Sequence, residues 1–295
     1  MTILSVVHRT HYRYSEPVSF GPHRMMMRPR DSHDLRLLNT GLTISPPATV
    51  RWLHDVFGNS VAIAEFSKPG AELLVESSFR AEHYPLSEEA VALEEYARHF
   101  PFSYDTLEIP DLARTMERHY PDPEHRIDAW ARRFVEKRRD ADTMAILRDM
   151  VAAIGATFDY NRRDAMGTQD PLVTLSSGSG TCRDFALFLM EASRSLGFAA
   201  RFVSGYLYDE ERVVEDQLIG GGATHAWVQI YLPGGGWVEF DPTNTLVGGR
   251  NLIRVAVTRD PSQAIPLSGS FTGPPNTFLG MEVQVKITAD AGGNG

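Results

Sequence analysis

Cysteine is almost absent from this sequence, since Cys182 is the only one among 295 residues. A single cysteine cannot form an internal disulfide. The lack of disulfides fits a reducing compartment, and we expect a cytoplasmic protein, although an exported protein can also lack them.

Long apolar runs and an excess of positive charge are also missing. The apolar runs fall far short of the ~18 residues that a membrane span needs. The net charge of −9 gives no electrostatic basis for a nucleic-acid partner. The first five residues lack the basic start and long apolar stretch of a signal peptide. With 42% hydrophobic residues the chain can build a packed core, and we expect a protein that binds neither membrane nor nucleic acid.

Motifs for metals and cofactors are missing as well. The N-terminal histidines His8, His11, His23 and His33 do not follow the spacing of a metal site, and no cysteine accompanies them. The glycines at 220–222 are not followed by the Gly-Lys-Ser/Thr of a phosphate-binding loop, and we interpret them as a flexible segment before the next strand. The sequence therefore predicts no cofactor and no metal.

What the chain does contain is a cysteine at the start of a helix. Glycines precede it, Thr181 is a suitable N-cap, and an apolar run extends to Gly197, a suitable stop. A thiol in the first turn lies at the positive end of the helix dipole, which favours the reactive thiolate. The alternative is a buried, inert cysteine, because free cysteines are among the most buried residues. Asp184 either orients the cleft or, as we favour, stabilises the helix N-terminus.

A histidine and an aspartate follow in a predicted hairpin. Residues 225–232 (HAWVQIYL) alternate as in a strand, 233–236 (PGGG) read as a turn, and 237–241 (WVEFD) form a second strand that ends before Pro242. His225 and Asp241 therefore meet at the open end of the hairpin. A carboxylate holds an imidazole in one tautomer and stabilises its cation. Beside Cys182, this pair gives a nucleophile, a base and an orienting group.

The register of this hairpin is the critical point. If residues 233–236 form a four-residue loop, Asp241 falls opposite Val228, and His225 and Asp241 lie on different faces. A direct pairing needs a turn centred nearer Pro233 or a bulge. We therefore predict such an irregularity. Trp227 either walls the substrate cleft or belongs to the core.

Two sequence stretches resemble the core of the bacterial transglutaminase-like family, which is grouped with cysteine proteases of papain-like fold. They are GTCRDFALFLMEASRSLGFAARFVSGYL and THAWVQIYLPGGGWVEFDPTN, and the resemblance covers about 158–244. It implies that Cys182 is the nucleophile, His225 the general base and then acid, and Asp241 the orienting residue. Many relatives have Gln and His where this chain has Arg183 and Leu187, which implies a change in cleft charge and helix packing.

The N-terminal region also resembles the β-rich domain that often precedes this core. The first ~80 residues alternate as strands and predict a β-sandwich-like domain over 1–82. We expect the transglutaminase-like core at 83–289 and a flexible tail at 290–295. Within the core, Ser87–Arg98 reads as a helix and 162–179 as a loop. The predicted fold class is α+β, with a papain-like, transglutaminase-like core in which a central helix packs on an antiparallel sheet.

These features predict a thiol-dependent acyl-transfer enzyme that acts on peptide or glutamine amides of a protein or peptide substrate through a thioester. We favour a cysteine peptidase or amidase. The alternatives are a crosslinking transglutaminase with an amine as acceptor, and a non-catalytic peptide-binding scaffold. The backbone N–H of Cys182 is a natural oxyanion donor, and Tyr160 and Gln169 are candidates for a second one.

Overall fold

The computed structural model describes residues 1–136, 141–162, 167–208 and 224–289. The predicted tail at 290–295 and the glycines at 220–222 lie outside these ranges. The helices are α1 (Ile109–Met116), α2 (Arg126–Arg132), α3 (Thr143–Thr157), α4 (Pro171–Ser177) and α5 (Cys182–Ser195). The strands are β1 (Thr2–Phe20), β2 (His23–Met25), β3 (Leu35–Ser45), β4 (Ala48–His54), β5 (Ser60–Phe66), β6 (Gly70–His83), β7 (His99–Phe100), β8 (Ala141–Asp142), β9 (Asp159–Tyr160), β10 (Ser179–Gly180), β11 (Ala200–Leu207), β12 (His225–Leu232), β13 (Gly236–Asp241), β14 (Leu246–Val247), β15 (Leu252–Thr258), β16 (Leu267–Ser268), β17 (Phe271–Thr272) and β18 (Phe278–Ala289).

The N-terminal region consists of two antiparallel sheets. One has the order β17-β1-β6-β3, with β18 also paired to β1, and the other has the order β16-β2-β5-β4. Alternate residues of the strands are buried, as in sheets with one face on a core. Side chains from both sheets share one apolar cluster, which includes Tyr14, Met25, Ala62 and Val75. The N-terminal region is therefore β-rich, as the sequence predicts.

The end of the chain returns to these N-terminal sheets. β18 pairs with β1 from Leu4 opposite Ala289 to Tyr14 opposite Phe278, and β16 pairs with β2. Residues 267–289, which the predicted second domain at 83–289 includes, therefore contribute strands to the N-terminal sheets. This pairing joins strands more than 250 residues apart, and local sequence patterns do not indicate such a partner.

The central layer is a sheet of order β14-β13-β12-β11-β15 with α5 packed on one face. Phe185 and Leu189 of α5 share a cluster with Ala226, Val228 and other residues of the sheet. This arrangement confirms the predicted α+β class with a central helix on an antiparallel sheet. Val203 and Trp227 belong to a separate cluster with Phe57, so the other face of the sheet turns toward the N-terminal region.

Two local predictions in the segment before α5 are wrong. Ser87–Arg98 forms two 3₁₀ turns, Glu88–Ala90 and Glu95–Ala97, instead of a helix. Between them Val91 and Leu93 pack on the core, and the Glu94 N–H donates to Pro233 O at 2.9 Å, so tertiary contacts override helix propensity. The predicted loop at 162–179 contains α4. None of the helices in the described ranges has the length and apolar character needed to cross a bilayer.

Candidate active site

Cys182 is the first residue of α5 and is buried, with 6% of its surface exposed. The chain reaches it in extended conformation through Thr181 and the short parallel pair of β9 and β10. The Asp184 carboxylate accepts hydrogen bonds from the Thr181 N–H at 2.8 Å and the Gln169 N–H at 2.8 Å. Asp184 therefore stabilises the start of the helix, as favoured from the sequence. Its bond to Gln169 also ties the loop before α4 to the helix that carries the cysteine.

The hairpin of β12 and β13 has a three-residue loop, 233–235. Leu232 pairs with Gly236, and the ladder continues without a shift to Val228 opposite Phe240. Gly234 and Gly236 have φ of +86° and +68°, a region that glycine adopts without strain. Compared with a four-residue loop, this turn moves the register by one residue, so His225 and Asp241 share a face as diagonal neighbours. The expected irregularity is thus in the turn and not a bulge in the ladder.

His225 and Asp241 form a buried pair. The imidazole Nε2 donates to Asp241 Oδ2 at 2.7 Å, and both side chains are inaccessible to solvent. Asp241 also accepts from the backbone N–H of Thr243 at 2.9 Å and from the Asn244 side-chain amide at 3.0 Å. The carboxylate is therefore held by groups on both sides and presents a fixed oxygen to the imidazole.

The environment of this pair favours its charged form. Burial alone would lower the pKa of His225, but the charge and hydrogen bond of Asp241, followed by the interaction with Cys182, raise that pKa to about 10. Burial opposes ionisation of Asp241 as well, yet His225 and the surrounding donors keep the pKa of this carboxyl below its usual value. The second ring nitrogen of His225, Nδ1, is buried without a hydrogen-bond partner among the described residues. An imidazolium between a carboxylate and a thiol is the arrangement expected for nucleophilic cysteine chemistry.

The two candidates for a second oxyanion donor differ in their surroundings. The Gln169 side-chain amide donates to Ser179 O at 2.6 Å and contacts Thr174 Oγ1 at 2.9 Å, so it is used within the loop. Tyr160 is half-buried, and its pKa is raised by burial and then by the charge of Cys182. Of the two side chains, that of Tyr160 therefore has the electrostatic link to the cysteine.

Three other positions noted in the sequence serve packing. Trp227 is fully buried in an apolar cluster and stacks on His225 with ring centroids 6.0 Å apart. The Arg183 guanidinium donates to Pro261 O at 2.8 Å and lies 4.8 Å from the centre of the Phe202 ring. Leu187 is fully buried in the core. Both departures from the family pattern thus affect contacts of α5, and Trp227 supports the imidazole from within the core.

Thr243 and Asn244 were not singled out from the sequence, although both bind Asp241. The signal that points to them is the segment DPTN at 241–244. An aspartate at the start of a turn accepts from backbone N–H groups two and three residues later. Among the residues that the structure describes, no group of three His, Cys, Asp or Glu side chains is placed to hold a metal ion.

Two family models match this chain in separate regions. The model described as the bacterial transglutaminase-like N-terminal region matches residues 4–82. The model described as the transglutaminase-like superfamily matches residues 128–242, which include Cys182, His225 and Asp241.

Similar proteins and a similar solved structure extend over nearly the whole chain. An uncharacterized protein of Mycobacterium tuberculosis is 29% identical over 95% of this chain and 91% of its own length. An uncharacterized protein of Mycobacterium leprae is 26% identical over 96% of this chain and 98% of its own length. A solved structure described as "a Putative Cysteine Protease from Cytophaga hutchinsonii" is 17% identical, with a TM-score of 0.71 over 98% of this chain and 91% of that chain. This last similarity concerns the fold.

Proposed function

We propose that this chain, whose residues 4–82 and 128–242 match the bacterial transglutaminase-like N-terminal region and the transglutaminase-like superfamily, is a thiol-dependent acyl-transfer enzyme. Its substrates in this proposal are peptide or glutamine amides, and its acyl acceptor is water, which makes it a cysteine peptidase or amidase. The observation that carries the proposal is the buried 2.7 Å pair of His225 and Asp241, whose imidazole interacts with a cysteine at a helix start.

The proposed reaction begins with a thiolate at Cys182 and an imidazolium at His225. The sulfur attacks the amide carbonyl carbon, and the carbonyl oxygen takes the negative charge. The C–N bond then breaks, and His225 gives its proton to the leaving nitrogen, so an amine departs and a thioester remains. In the second half, His225 takes a proton from water, the hydroxide oxygen bonds to the carbonyl carbon, and the C–S bond breaks to release a carboxylic acid. Asp241 keeps its charge throughout and stabilises each imidazolium.

The two ring nitrogens of His225 have different roles in the proposed reaction. Nε2 is bonded to Asp241, so the proton that moves must be carried by Nδ1. The lack of a hydrogen-bond partner for Nδ1 in the described part of the chain supports this role, because a nitrogen engaged elsewhere could not exchange a proton with sulfur or substrate.

Two donors are proposed for the oxyanion. One is the backbone N–H of Cys182, since the first N–H groups of a helix have no partner within the helix. The other is the hydroxyl of Tyr160, supported by its electrostatic link to Cys182. Tyr160→Phe tests the second donor: we expect kcat to fall by about 10²-fold with little change in KM. An unchanged kcat would remove Tyr160 from this role.

The proposal is tested first by the reactivity of Cys182, because no other cysteine can be labelled. We expect iodoacetamide to alkylate the wild type rapidly near pH 6. His225→Gln should react as an ordinary thiol, mainly above about pH 8.5. His8→Gln is the matched control, since His8 is also buried but bonds to Tyr206 away from the site, and it should keep the wild-type profile. A wild-type thiol that reacts only above about pH 8.5 would contradict the enzyme and favour a non-catalytic scaffold.

A second measurement separates hydrolysis from transfer. The protein is incubated with a glutamine-containing peptide and a labelled primary amine, with Cys182→Ser as the blank. Release of ammonia or peptide cleavage without label supports the hydrolase. Incorporation of the amine would instead identify a crosslinking transglutaminase.

We also propose that the protein works in the cytoplasm. A catalytic thiol must stay reduced, and a single cysteine without a disulfide fits that compartment. Cell fractionation with an antibody against the chain tests this, and recovery from an extracytoplasmic fraction would contradict it.

A further inference from the structure

A second candidate site lies on the face of the core sheet that is opposite α5. There the structure contains a cavity of about 530 Å³ between the sheet and the N-terminal region. Its lining includes Asp34, Tyr84 and Leu86 from the N-terminal side and Arg201, Glu239 and Arg254 from the sheet. None of Cys182, His225 and Asp241 lines it, so it is separate from the candidate active site.

The floor of this cavity is a polar row across three adjacent strands. Arg201 lies opposite Gln229, and Gln229 lies opposite Glu239. Arg201 Nε donates to Gln229 Oε1 at 2.6 Å, and Gln229 Nε2 donates to Glu239 Oε1 at 2.6 Å. Buried ionic groups are costly and contribute little to stability unless they are fully paired. A row of this kind beneath a cavity is therefore better suited to ligand binding than to packing.

The carboxylates at this floor already have partners. Glu239 accepts from Arg254 at 3.0 Å, from Gln229, and from the indole N–H of Trp227. Asp34 accepts from the same Arg254, at 3.0 and 3.1 Å. Arg254 therefore forms ion pairs with both Glu239 and Asp34.

The Arg201 guanidinium has no such partner. Its Nε is bonded to the neutral amide of Gln229, and its Cζ lies 4.0 Å from the centre of the Trp237 ring. Within the described residues, no hydrogen bond or ion pair is found for its two terminal nitrogens, although the charge of Glu239 acts on the guanidinium. The cavity therefore offers unused cationic donors at Arg201, and the exposed Arg30 also contributes to its lining.

We propose that this cavity binds a carboxylate, held by the two terminal nitrogens of Arg201. Two parallel N–H groups of a guanidinium match the two oxygens of a carboxylate. The nearby Glu239 and Asp34 disfavour a phosphate dianion, so a monoanion suits the site better. Leu252, Val255 and Val257 add apolar lining, so the carboxylate belongs to a molecule with an apolar group, either a peptide C-terminus or a small organic acid. This site does not depend on the proposed enzymatic activity.

Calorimetric titration of the full chain tests the proposal with N-acetyl-leucine and its neutral amide. We expect saturable binding of the acid and at least tenfold weaker binding of the amide, since the amide loses the charge-assisted bonds. Titration with hexanoate, which has no peptide group, distinguishes a small organic acid from a peptide C-terminus as the ligand. If hexanoate binds as tightly as N-acetyl-leucine, the ligand is a small organic acid. If hexanoate binds much more weakly, the ligand is a peptide C-terminus. Binding of inorganic phosphate in place of both acids would overturn the carboxylate assignment.

Two variants locate the binding. Arg201→Gln should weaken N-acetyl-leucine at least tenfold, while Arg51→Gln, an exposed arginine outside the cavity, should not change it. Gly249→Phe should also abolish binding by filling the cavity, and it stays informative if Arg201→Gln fails to fold. A Cβ on Gly249 meets no atom closer than 3.8 Å, so this change is tolerated at the backbone. Wild-type affinity in Gly249→Phe, or equal affinity for acid and amide, would overturn the proposal.

Discussion

Replacing Asp241 by asparagine tests how the candidate site controls the charge of His225. The asparagine keeps nearly the same shape but loses the negative charge and one acceptor oxygen. Thr243, Asn244 and His225 all direct N–H donors at this carboxylate, so an amide NH₂ placed there must face another donor. We expect His225 to become neutral at pH 7 and the reaction to slow by about 10²- to 10⁴-fold, the range for losing an acid–base group.

The size of the effect follows from the raised pKa of His225. A rise of the pKa from the ordinary histidine value of 6.5 to about 10 corresponds to stabilisation of the imidazolium by on the order of 5 kcal/mol. Asp241 supplies the larger part of this and Cys182 a smaller part, while burial acts in the opposite direction. Without the carboxylate, burial dominates, and the pKa of His225 should fall below its ordinary value.

The measurement is an NMR titration of the labelled His225 imidazole. In the wild type we expect the ring to stay protonated until the pH approaches about 10. In Asp241→Asn it should lose its proton below pH 6.5, and Cys182→Ser should lie between the two. His8, whose pKa burial lowers to about 4, serves as an internal control that should not move. A wild-type His225 that titrates near 6.5, or one indifferent to Asp241→Asn, would refute this reasoning.

Three further outcomes can be measured by urea unfolding. Gly205→Ala should lower the free energy of unfolding by about 3 kcal/mol, because a Cβ there would lie 2.2 Å from a backbone carbonyl oxygen of β15. Gly249→Ala, the control, should lower it by less than about 0.5 kcal/mol. Equal losses in the two variants would show that the contact at Gly205 relaxes freely. Asp184→Ala should lower the free energy of unfolding by about 2–3 kcal/mol, because the buried carboxylate accepts two backbone hydrogen bonds. Asp142→Ala, which removes an exposed cap with one backbone hydrogen bond, should lower it by about 1 kcal/mol. Similar losses would mean that Asp184 only caps its helix. Because the pKa of His225 is raised in the folded protein, its contribution to stability is fully present below about pH 6.5 and is lost as the pH rises through about 10. The free energies of unfolding of the wild type and His225→Gln should therefore converge over that pH range. A difference that grows with pH would contradict the raised pKa.

The parts of the site that the sequence predicts well are those with local signals. The glycines, Thr181 and the apolar run mark the start of α5, and the alternation of 225–232 marks β12. α4 also has a local signal, since Asp170 caps it by accepting from Leu172 N–H at 2.7 Å and Pro171 occupies its first position. Its seven residues are too few for a clear apolar period, which explains why the segment reads as a loop.

The parts that the sequence does not predict depend on distant contacts. The segment at 87–98 has the composition of a helix. Val91 and Leu93 instead pack on the core beside the β12–β13 turn, and this burial outweighs the helix propensity of the segment. β18 finds its partner in β1 at the other end of the chain. A strand pattern predicts a strand but not its neighbour, so the return of 267–289 to the N-terminal sheets had no signal within its own residues.

The hairpin register, in contrast, could have been chosen from the sequence. β13 alternates Val238 and Phe240 with Glu239 and Asp241. A four-residue loop would pair Glu239 with Ile230 and direct this carboxylate toward the apolar cluster under α5, at a cost of several kcal/mol. The three-residue loop keeps Val238 and Phe240 in that cluster and turns both acids to the opposite face.

The same register therefore builds both sites of the sheet. On one face, Glu239 completes the polar row beneath the cavity, and two residues later Asp241 reaches His225. Between them lies Trp227, which donates its indole N–H to Glu239 and stacks on His225. A shift of one residue would break both arrangements at once, because every side chain of β13 would change face. The positive φ of Gly234 and Gly236 thus matters to the imidazole–carboxylate pair, although neither glycine touches it.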